Sequence, residues 1–403
     1  MVLIPAGLLA RAIDARRRPG YVQTMPATRF SHSALRVPSI DLSSAHAGIK
    51  AELLREIGDL IDSGEFANGP QVAEFEDAFA GFCGTAECVG VASGLDALRL
   101  GLLAAGLELG DEVIVPANTF IASVEAVTQA GGAPILVDAS ELDYNLDIGA
   151  TAAAITWRTR FLLPVHLYGQ LADMRALREL ARRRGFDILE DACQAHGAER
   201  DGFRAGAAGT AAAFSFYPGK NLGAMGDAGA LVTDSADVAA NARALREHGQ
   251  RRKYRHERVG WTARLDTIQA LVLLHKLPLL DAWNEDRRAA AAYYLDALTG
   301  IGDVVLPPVP PGSEPVWHLF VIRTADPGDL ARFLLERGIE TGRHYPEPIH
   351  LTGAYRSLGY ARGVFPVAEQ LARETLSLPV FPGITDQQLD AVVTAVCDYF
   401  ARG

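Results

Sequence analysis

Lysine is scarce in this chain, and its scarcity makes each occurrence informative. Of 38 basic residues only Lys50, Lys220, Lys253 and Lys276 are lysine; the other 34 are arginine. A guanidinium replaces an ammonium wherever a positive charge is enough, but it is no nucleophile at accessible pH and cannot stand in for an amine that must react. Composition alone reads any one of the four as an ordinary surface residue. Lys220 is set apart by its surroundings. It closes the run Ser215-Phe216-Tyr217-Pro218-Gly219-Lys220 and is followed by Asn221-Leu222-Gly223-Ala224-Met225-Gly226-Asp227-Ala228-Gly229. An apolar, glycine-rich setting disfavours the ammonium form, so the pKa falls and the free amine becomes available for a Schiff base with a carbonyl.

Three further groups could serve such an amine. Asp191 follows the apolar run Asp187-Ile188-Leu189-Glu190. It either caps the next turn or holds a heterocyclic nitrogen protonated, as an aspartate does against the pyridine nitrogen of pyridoxal phosphate. Ser93-Gly94-Leu95 stands between a strand and a helix pattern, where free N–H groups and the helix dipole favour an anion; a serine there is also a plain N-cap. Phe120 follows another strand pattern and either stacks on a ring or packs in the core. No G-x-G-x-x-G occurs, so a dinucleotide fingerprint is absent.

These residues need elements to position them. Short apolar runs bounded by Gly, Pro, Asp or Asn predict seven strands, near Cys88–Ala92, Glu112–Pro116, Pro134–Val137, Phe161–Val165, Asp187–Glu190, Ala211–Phe216 and Ala230–Thr233. Helical spacing between them covers Leu95–Ala105, Ile121–Ala130 and Met174–Arg184, the last ending at Gly185 as a C-cap would. Strand and helix alternating at these intervals predict an α/β fold with a mostly parallel sheet between helices. Ligands of such sheets sit where the strands end at their carboxyl edge, and that is where Ser93, Phe120, Asp191 and the Lys220 run fall. Beyond about residue 235 the pattern changes. Val238–His248 and Leu265–Leu298 read as helical, Pro307–Pro315 as a connection, and Trp317–Thr324, Pro327–Gly338 and Thr385–Ala401 as a smaller α+β domain. We expect a large domain over 37–275 and a small one over 276–403.

Other classes are excluded by composition. The chain of 403 residues is 49% hydrophobic and 22% charged, with a net charge of −11, and no Lys/Arg run is long enough to track phosphates, which excludes nucleic acid as a partner. No run of 18 uncharged apolar residues occurs, so no membrane span is expected. Cys83, Cys88, Cys193 and Cys397 lack C-x-x-C or Cys/His ligand spacing, which leaves no metal site and predicts free thiols in a reducing cytoplasm. At the N-terminus an apolar stretch precedes the arginines, the reverse of a signal peptide. Residues 1–36 read as a disordered extension, with Met25 an alternative start.

The order of parts, from Ser93-Gly94-Leu95 and Phe120 through Glu190-Asp191-Ala192-Cys193-Gln194-Ala195-His196 to Ser215-Phe216-Tyr217-Pro218-Gly219-Lys220, resembles the DegT/StrS-type sugar aminotransferases of pyridoxal-phosphate fold type I. Gly260-Trp261-Thr262-Ala263-Arg264 and His344-Tyr345-Pro346-Glu347-Pro348 extend the resemblance, which runs from about Ile40 to the C-terminus. It implies an aspartate-aminotransferase-like fold with pyridoxal 5'-phosphate as cofactor and pyridoxamine 5'-phosphate as its aminated form. On this resemblance Lys220 and Asp191 are the catalytic pair, and Gly94, Leu95, Phe120, Asp191, Gln194, Ser215 and Lys220 hold the cofactor. His196 belongs to the same motif without a defined role. Arg252, Tyr254, His344 and Tyr345 resemble substrate-side residues, and the 252–264 region resembles one that reaches into a partner's site, which implies a homodimer. Thr262 stands where many relatives carry Asn on the cofactor phosphate.

The activity implied is transfer of the amino group of L-glutamate to a nucleotide-linked keto-deoxysugar. The form of the run around Lys220 resembles relatives acting at C3 of a dTDP-3-keto-6-deoxyhexose. A C4 sugar or cyclitol aminotransferase, or a catalytically silent ligand-sensing or regulatory relative, is the alternative. A pyridoxamine-dependent dehydratase would carry His in place of Lys220.

Overall fold

Residues 35–43 and 46–402 are described by a computed structural model of the chain; the expected N-terminal extension lies, except for its last two residues, outside them. Two helices that the sequence patterns did not single out come first, α1 (Lys50–Ser63) and α2 (Pro70–Cys83). Pro70 takes the first turn of α2, where its missing N–H has no intrahelical partner to lose, and Gly64 and Gly84 end the two helices in the left-handed region.

The alternation then runs β1 (Glu87–Val91), α3 (Gly94–Ala104), β2 (Glu112–Pro116), α4 (Ile121–Gln129), β3 (Ala133–Val137), α5 (Ile148–Ala154), β4 (Thr159–Leu162), α6 (Met174–Arg184) and β5 (Asp187–Asp191). A small hairpin, β6 (Glu199–Arg200) and β7 (Phe203–Arg204), precedes β8 (Ala211–Ser215), β9 (Gly229–Thr233) and α7 (Ala236–Arg246). The main sheet has seven strands in the order β1-β9-β8-β5-β4-β2-β3. Pairing is parallel from β8 to β3, while β9 is antiparallel to both β8 and β1, so one strand runs against the other six.

Strand period decides which residue feeds which layer. Val89, Val91, Val113, Val115, Leu189, Ala213 and Leu231 pack with α3, α4 and α7 on one face. Their neighbours Cys88, Ile114, Ile188, Ala212, Phe214 and Val232 pack on the other with α2, α6 and α8 (Thr267–Lys276). Both faces are therefore dry, as the continuous apolar runs require.

The expected helix Leu265–Leu298 is divided. A 3₁₀ turn at Leu277–Leu279 separates α8 from α9 (Leu280–Ala297), because Pro278 supplies no N–H to an α ladder. Between α7 and α8 the chain makes an exposed hairpin, β10 (Gln250–Arg252) and β11 (Arg255–His256). After α9 come β12 (Ser313–Glu314), β13 (Phe320–Arg323), α10 (Pro327–Glu336), α11 (Pro366–Glu374), β14 (Thr375–Leu378) and α12 (Asp386–Phe400). Tyr294, Phe320, Ile322, Leu334, Leu376 and Val396 form a separate core there. The same core takes Val37 from the other end of the chain, whose backbone bonds Gly338 O and Glu340 N at 2.9 Å each in a parallel bridge to Ile339. Val321, Ile349 and Phe365, by contrast, pack into the first face of the main sheet.

Candidate active site

The carboxyl edge of the sheet opens into a cavity of about 690 Å³. Its floor comes from three strand ends. After β1 the chain enters α3 through Ser93, whose Oγ accepts the Asp96 N–H at 3.1 Å as an N-cap. Gly94 has no room for a side chain, since a Cβ there would meet Ser215 Cβ at 2.7 Å and Cys193 Sγ at 2.8 Å. Beneath the same turn a Cβ on Gly229 of β9 would come within 2.4 Å of Ser93 C and O. Two glycines thus let a helix start, a strand end and the antiparallel strand meet at one point. The first-turn amides of Gly94 and Leu95, which a helix leaves without internal partners, lie in the cavity lining beside Ser215.

β5 separates two adjacent carboxylates. Glu190 points to the far layer and is fully buried, accepting from Gly206 N, Ala208 N and Gly209 N. His166 completes its shell: Ala172 N–H donates to Nδ1, so Nε2 carries the hydrogen and donates to Glu190 at 2.8 Å. Asp191 lies one residue on, faces the cavity and is 6% exposed. Its Oδ1 accepts the Cys193 N–H at 3.2 Å, the turn-capping bond, while Oδ2 accepts Ser123 Oγ at 2.7 Å, with Thr119 Oγ1 2.8 Å behind.

After β8 the backbone turns at Tyr217–Gly219 and brings Lys220 into the same lining. Its Nζ has no hydrogen-bond partner among the described residues. Burial pushes the ammonium below its ordinary value, with Cys193 and Asp191 opposing the shift. Gln194 is fixed at both ends, its Oε1 accepting from Tyr168 N at 2.7 Å and its Nε2 donating to Tyr345 Oη at 3.0 Å. Phe120, at the N-cap of α4, is 52% exposed, too open for core packing, and its ring lies 5.5 Å from that of Tyr345. His344 closes the C-terminal wall, with Nδ1 2.8 Å from Ser377 Oγ; burial and the charge of Lys220 hold it down to about 4.

Nine of the eleven expected site residues therefore line one cavity: Gly94, Leu95, Phe120, Asp191, Gln194, Ser215, Lys220, His344 and Tyr345. Arg252 and Tyr254 do not. They sit on the β10–β11 hairpin, Tyr254 is 80% exposed, and Arg252 borders a separate depression with Arg243, Arg246 and Lys253. Arg264 is bound to Glu247 at 2.9 Å and Thr262 Oγ1 lies 3.1 Å from His248 Nε2. His196 is also outside the lining, packed against Phe214 and Phe216. Ser123, Thr119, His318 and Ser377 were not read from the sequence yet face the cavity. Ser123 had a signal, three residues after Phe120 in the first turn of α4; His318 and Ser377 come from C-terminal segments that strand-edge reasoning does not reach.

The chain is similar to known proteins along most of its length. The dTDP-3-amino-3,4,6-trideoxy-alpha-D-glucose transaminase of Streptomyces venezuelae is 48% identical over 367 residues, 91% of this chain and 97% of that one. The erythromycin biosynthesis sensory transduction protein EryC1 of Saccharopolyspora erythraea is 46% identical over 89% of this chain and 98% of its own. Among solved structures, S. venezuelae DesV superposes with a TM-score of 0.89 at 48% identity, covering 91% of this chain and 99% of that chain. NtdA from Bacillus subtilis, with bound cofactor PMP, superposes at 0.85 with 30% identity, over 92% of this chain and 86% of its own. Residues 48–397 match the DegT/DnrJ/EryC1/StrS aminotransferase family, and with relatives this similar along nearly their whole length the chain belongs to that family.

Proposed function

We propose that the chain is a transaminase that uses pyridoxal 5'-phosphate to move the amino group of L-glutamate onto C3 of a dTDP-3-keto-6-deoxyhexose. The observation that carries this reading is one cavity holding an unpartnered, half-buried lysine amine, a buried carboxylate and a glycine turn with no room for a Cβ. That set fits the cofactor: an amine for its carbonyl, an acceptor for its ring nitrogen and a cradle of amides for its phosphate. The choice of sugar is supported by the name of the S. venezuelae relative. When bound, the cofactor supplies an electron-withdrawing pyridinium ring and, as pyridoxamine 5'-phosphate, carries the amino group from donor to acceptor.

The residues then have separate tasks. Lys220 Nζ, whose ammonium form is disfavoured by burial, takes the proton from the donor's α carbon and returns one at the sugar carbon. Asp191 holds a proton on the ring nitrogen, the contact that preserves electron withdrawal. Gly94 N, Leu95 N and Ser215 Oγ would hold the phosphate, and Phe120 and Gln194 would hold the ring. His344 and Tyr345 face the sugar from the C-terminal wall. We take 37–275 as the cofactor-binding domain and 276–403 as the smaller one, which has its own core. Arg252 and Tyr254 serve the partner's cavity in a homodimer, where a guanidinium suits a diphosphate.

A second reading rests on the name of the S. erythraea relative, a sensory transduction protein: a silent ligand sensor on the same scaffold. Incubating the protein with L-glutamate and a panel of nucleotide 3- and 4-ketosugars, with the amination site read by NMR, separates the readings. Amination at C3 supports the proposal, amination at C4 moves the regiochemistry, and no turnover with any ketosugar leaves the sensor.

A further inference from the structure

Lys220 is not the only lysine away from the surface. Lys50 and Lys253 are exposed, whereas Lys276 is 3% exposed at the last position of α8. In a chain that uses arginine almost everywhere else, a buried lysine points to a task that a guanidinium cannot do. Its ammonium has no carboxylate within ion-pair distance among the described residues. Nζ donates to Gly223 O at 2.5 Å, lies 3.2 Å from His46 Nε2 and sits 5.9 Å from the centre of the Trp283 ring. A carbonyl, an imidazole lone pair and an indole face surround a compact cation without neutralising it. A planar guanidinium, with its donors spread over a rigid fork, does not match that arrangement around one compact nitrogen.

Gly223 stands three residues after Lys220, and its neighbours are held just as firmly. Asn221 Nδ2 donates to Val316 O at 2.8 Å and Asn284 Oδ1 at 2.9 Å, and Leu222 is fully buried. Ala224 N bonds Phe216 O at 2.7 Å, and Met225 N bonds Gln269 Oε1 at 2.8 Å. Gln269 and Lys276 both belong to α8 and are seven residues apart, two turns, so they share a face. One helix thus grips this loop twice, at Met225 and at Gly223. Lys220, by contrast, has a side chain with no hydrogen bond of its own among the described residues. Its position is set by the backbone on either side, and on the C-terminal side that backbone is tied to α8.

We propose that Lys276 is a positioning residue for the reacting amine: its ammonium clamps the Gly223 carbonyl and so fixes the loop that aims Lys220 into the cavity. The inference rests on the reading of Lys220 as the reacting amine. A buried cation without a counterion costs stability, so an apolar replacement of similar length is tolerated by the fold while it frees the loop. A small displacement of a reacting group is expensive in rate and cheap in binding.

The test uses Lys276→Met, with Lys276→Gln as a second variant should the first not fold. Amide hydrogen exchange is read on the cofactor-free protein, and the half-reaction with L-glutamate on the loaded protein. We expect the peptide spanning 220–226 to exchange roughly tenfold faster while β5 peptides keep the parental rate. We expect kcat to fall roughly tenfold to a hundredfold, with the KM for glutamate within about threefold of the parent. Parental exchange in 220–226 in a folded variant overturns the clamp, whatever the activity. Parental kcat with faster exchange overturns the positioning role while leaving the clamp. Lys220→Ala is run alongside: full activity in that variant defeats the reading of Lys220 without altering the exchange result, so the two failures are told apart.

Discussion

The cavity at the sheet edge and the β10–β11 hairpin both present cations, under opposite physical conditions. In the cavity Lys220 is enclosed, its ammonium form is disfavoured, and the groups around it are each held by named partners such as Ser123 on Asp191 and Tyr168 on Gln194. On the hairpin Arg252, Lys253 and Arg255 are exposed, and neither Arg252 nor Arg255 forms an ion pair among the described residues. Enclosure gives a group unusual reactivity because a charge can no longer be solvated by water. An exposed guanidinium keeps its ordinary charge and offers attraction, screened over about 10 Å at 0.1 M salt. In the proposed function, chemistry falls to the first setting and recognition of a charged substrate to the second.

Substitutions test that division, starting with the largest effect. Lys220→Ala should lower the rate of the glutamate half-reaction by about a thousandfold or more, measured by stopped-flow absorbance, since no other amine lines the cavity among the described residues. Within β5 the two neighbouring carboxylates should part company. Asp191→Asn should keep the melting temperature and lose about a hundredfold in rate. Glu190→Gln should keep the rate per folded molecule and lose about 1–3 kcal/mol of stability, because three backbone donors and His166 rely on that carboxylate. Equal effects on rate from both would erase the distinction between facing the cavity and facing the core. Arg252→Ala should raise the KM for the nucleotide sugar about tenfold, the cost of roughly one charge-assisted contact, with little change for glutamate. Mixed with Lys220→Ala after subunit exchange, it should yield a fraction of sites with the parental KM for the nucleotide sugar; a KM that stays raised throughout would place Arg252 outside the partner's site.

The smallest effect is one of pH. His344 is held down to about 4 against an ordinary 6.5, first by burial and then by Lys220. Between those values the unfolded chain binds the proton that the folded chain refuses. The stability this group contributes is therefore complete above pH 6.5 and is lost as the pH falls toward about 4. Melting temperatures across that window should fall less steeply for His344→Gln than for the parent.

Strand ends were legible because apolar runs and punctuation determine them locally. Asp191 and the helix Met174–Arg184 with its Gly185 cap follow from a few residues each. Gly94 was found for its place before a helix, but that it must be glycine depends on Ser215 and Cys193, more than 90 residues away. Lys276 had the same rarity as Lys220 and no local signal, since its partners Gly223 and His46 converge only in the fold. Helices α1 and α2 lie before the first strand, where no strand punctuation marks them. Arg252 and Tyr254 rested on resemblance alone, and the structure places them on the exposed hairpin, outside the cavity lining.

The bridge between Val37 and Ile339 bears on the order in which this protein is made. Ile339 leaves the ribosome 302 positions after its pairing partner Val37. At about 5–20 residues per second, the wait is on the order of tens of seconds. Ser39 and Ile40, on the same segment, form part of the cavity wall. The seven strands can pair during that interval, but the wall they face is still missing. The pocket is finished only when the segments carrying His318, His344, Tyr345 and Ser377 arrive, so a polypeptide stalled before then holds Lys220 without the C-terminal wall that encloses it.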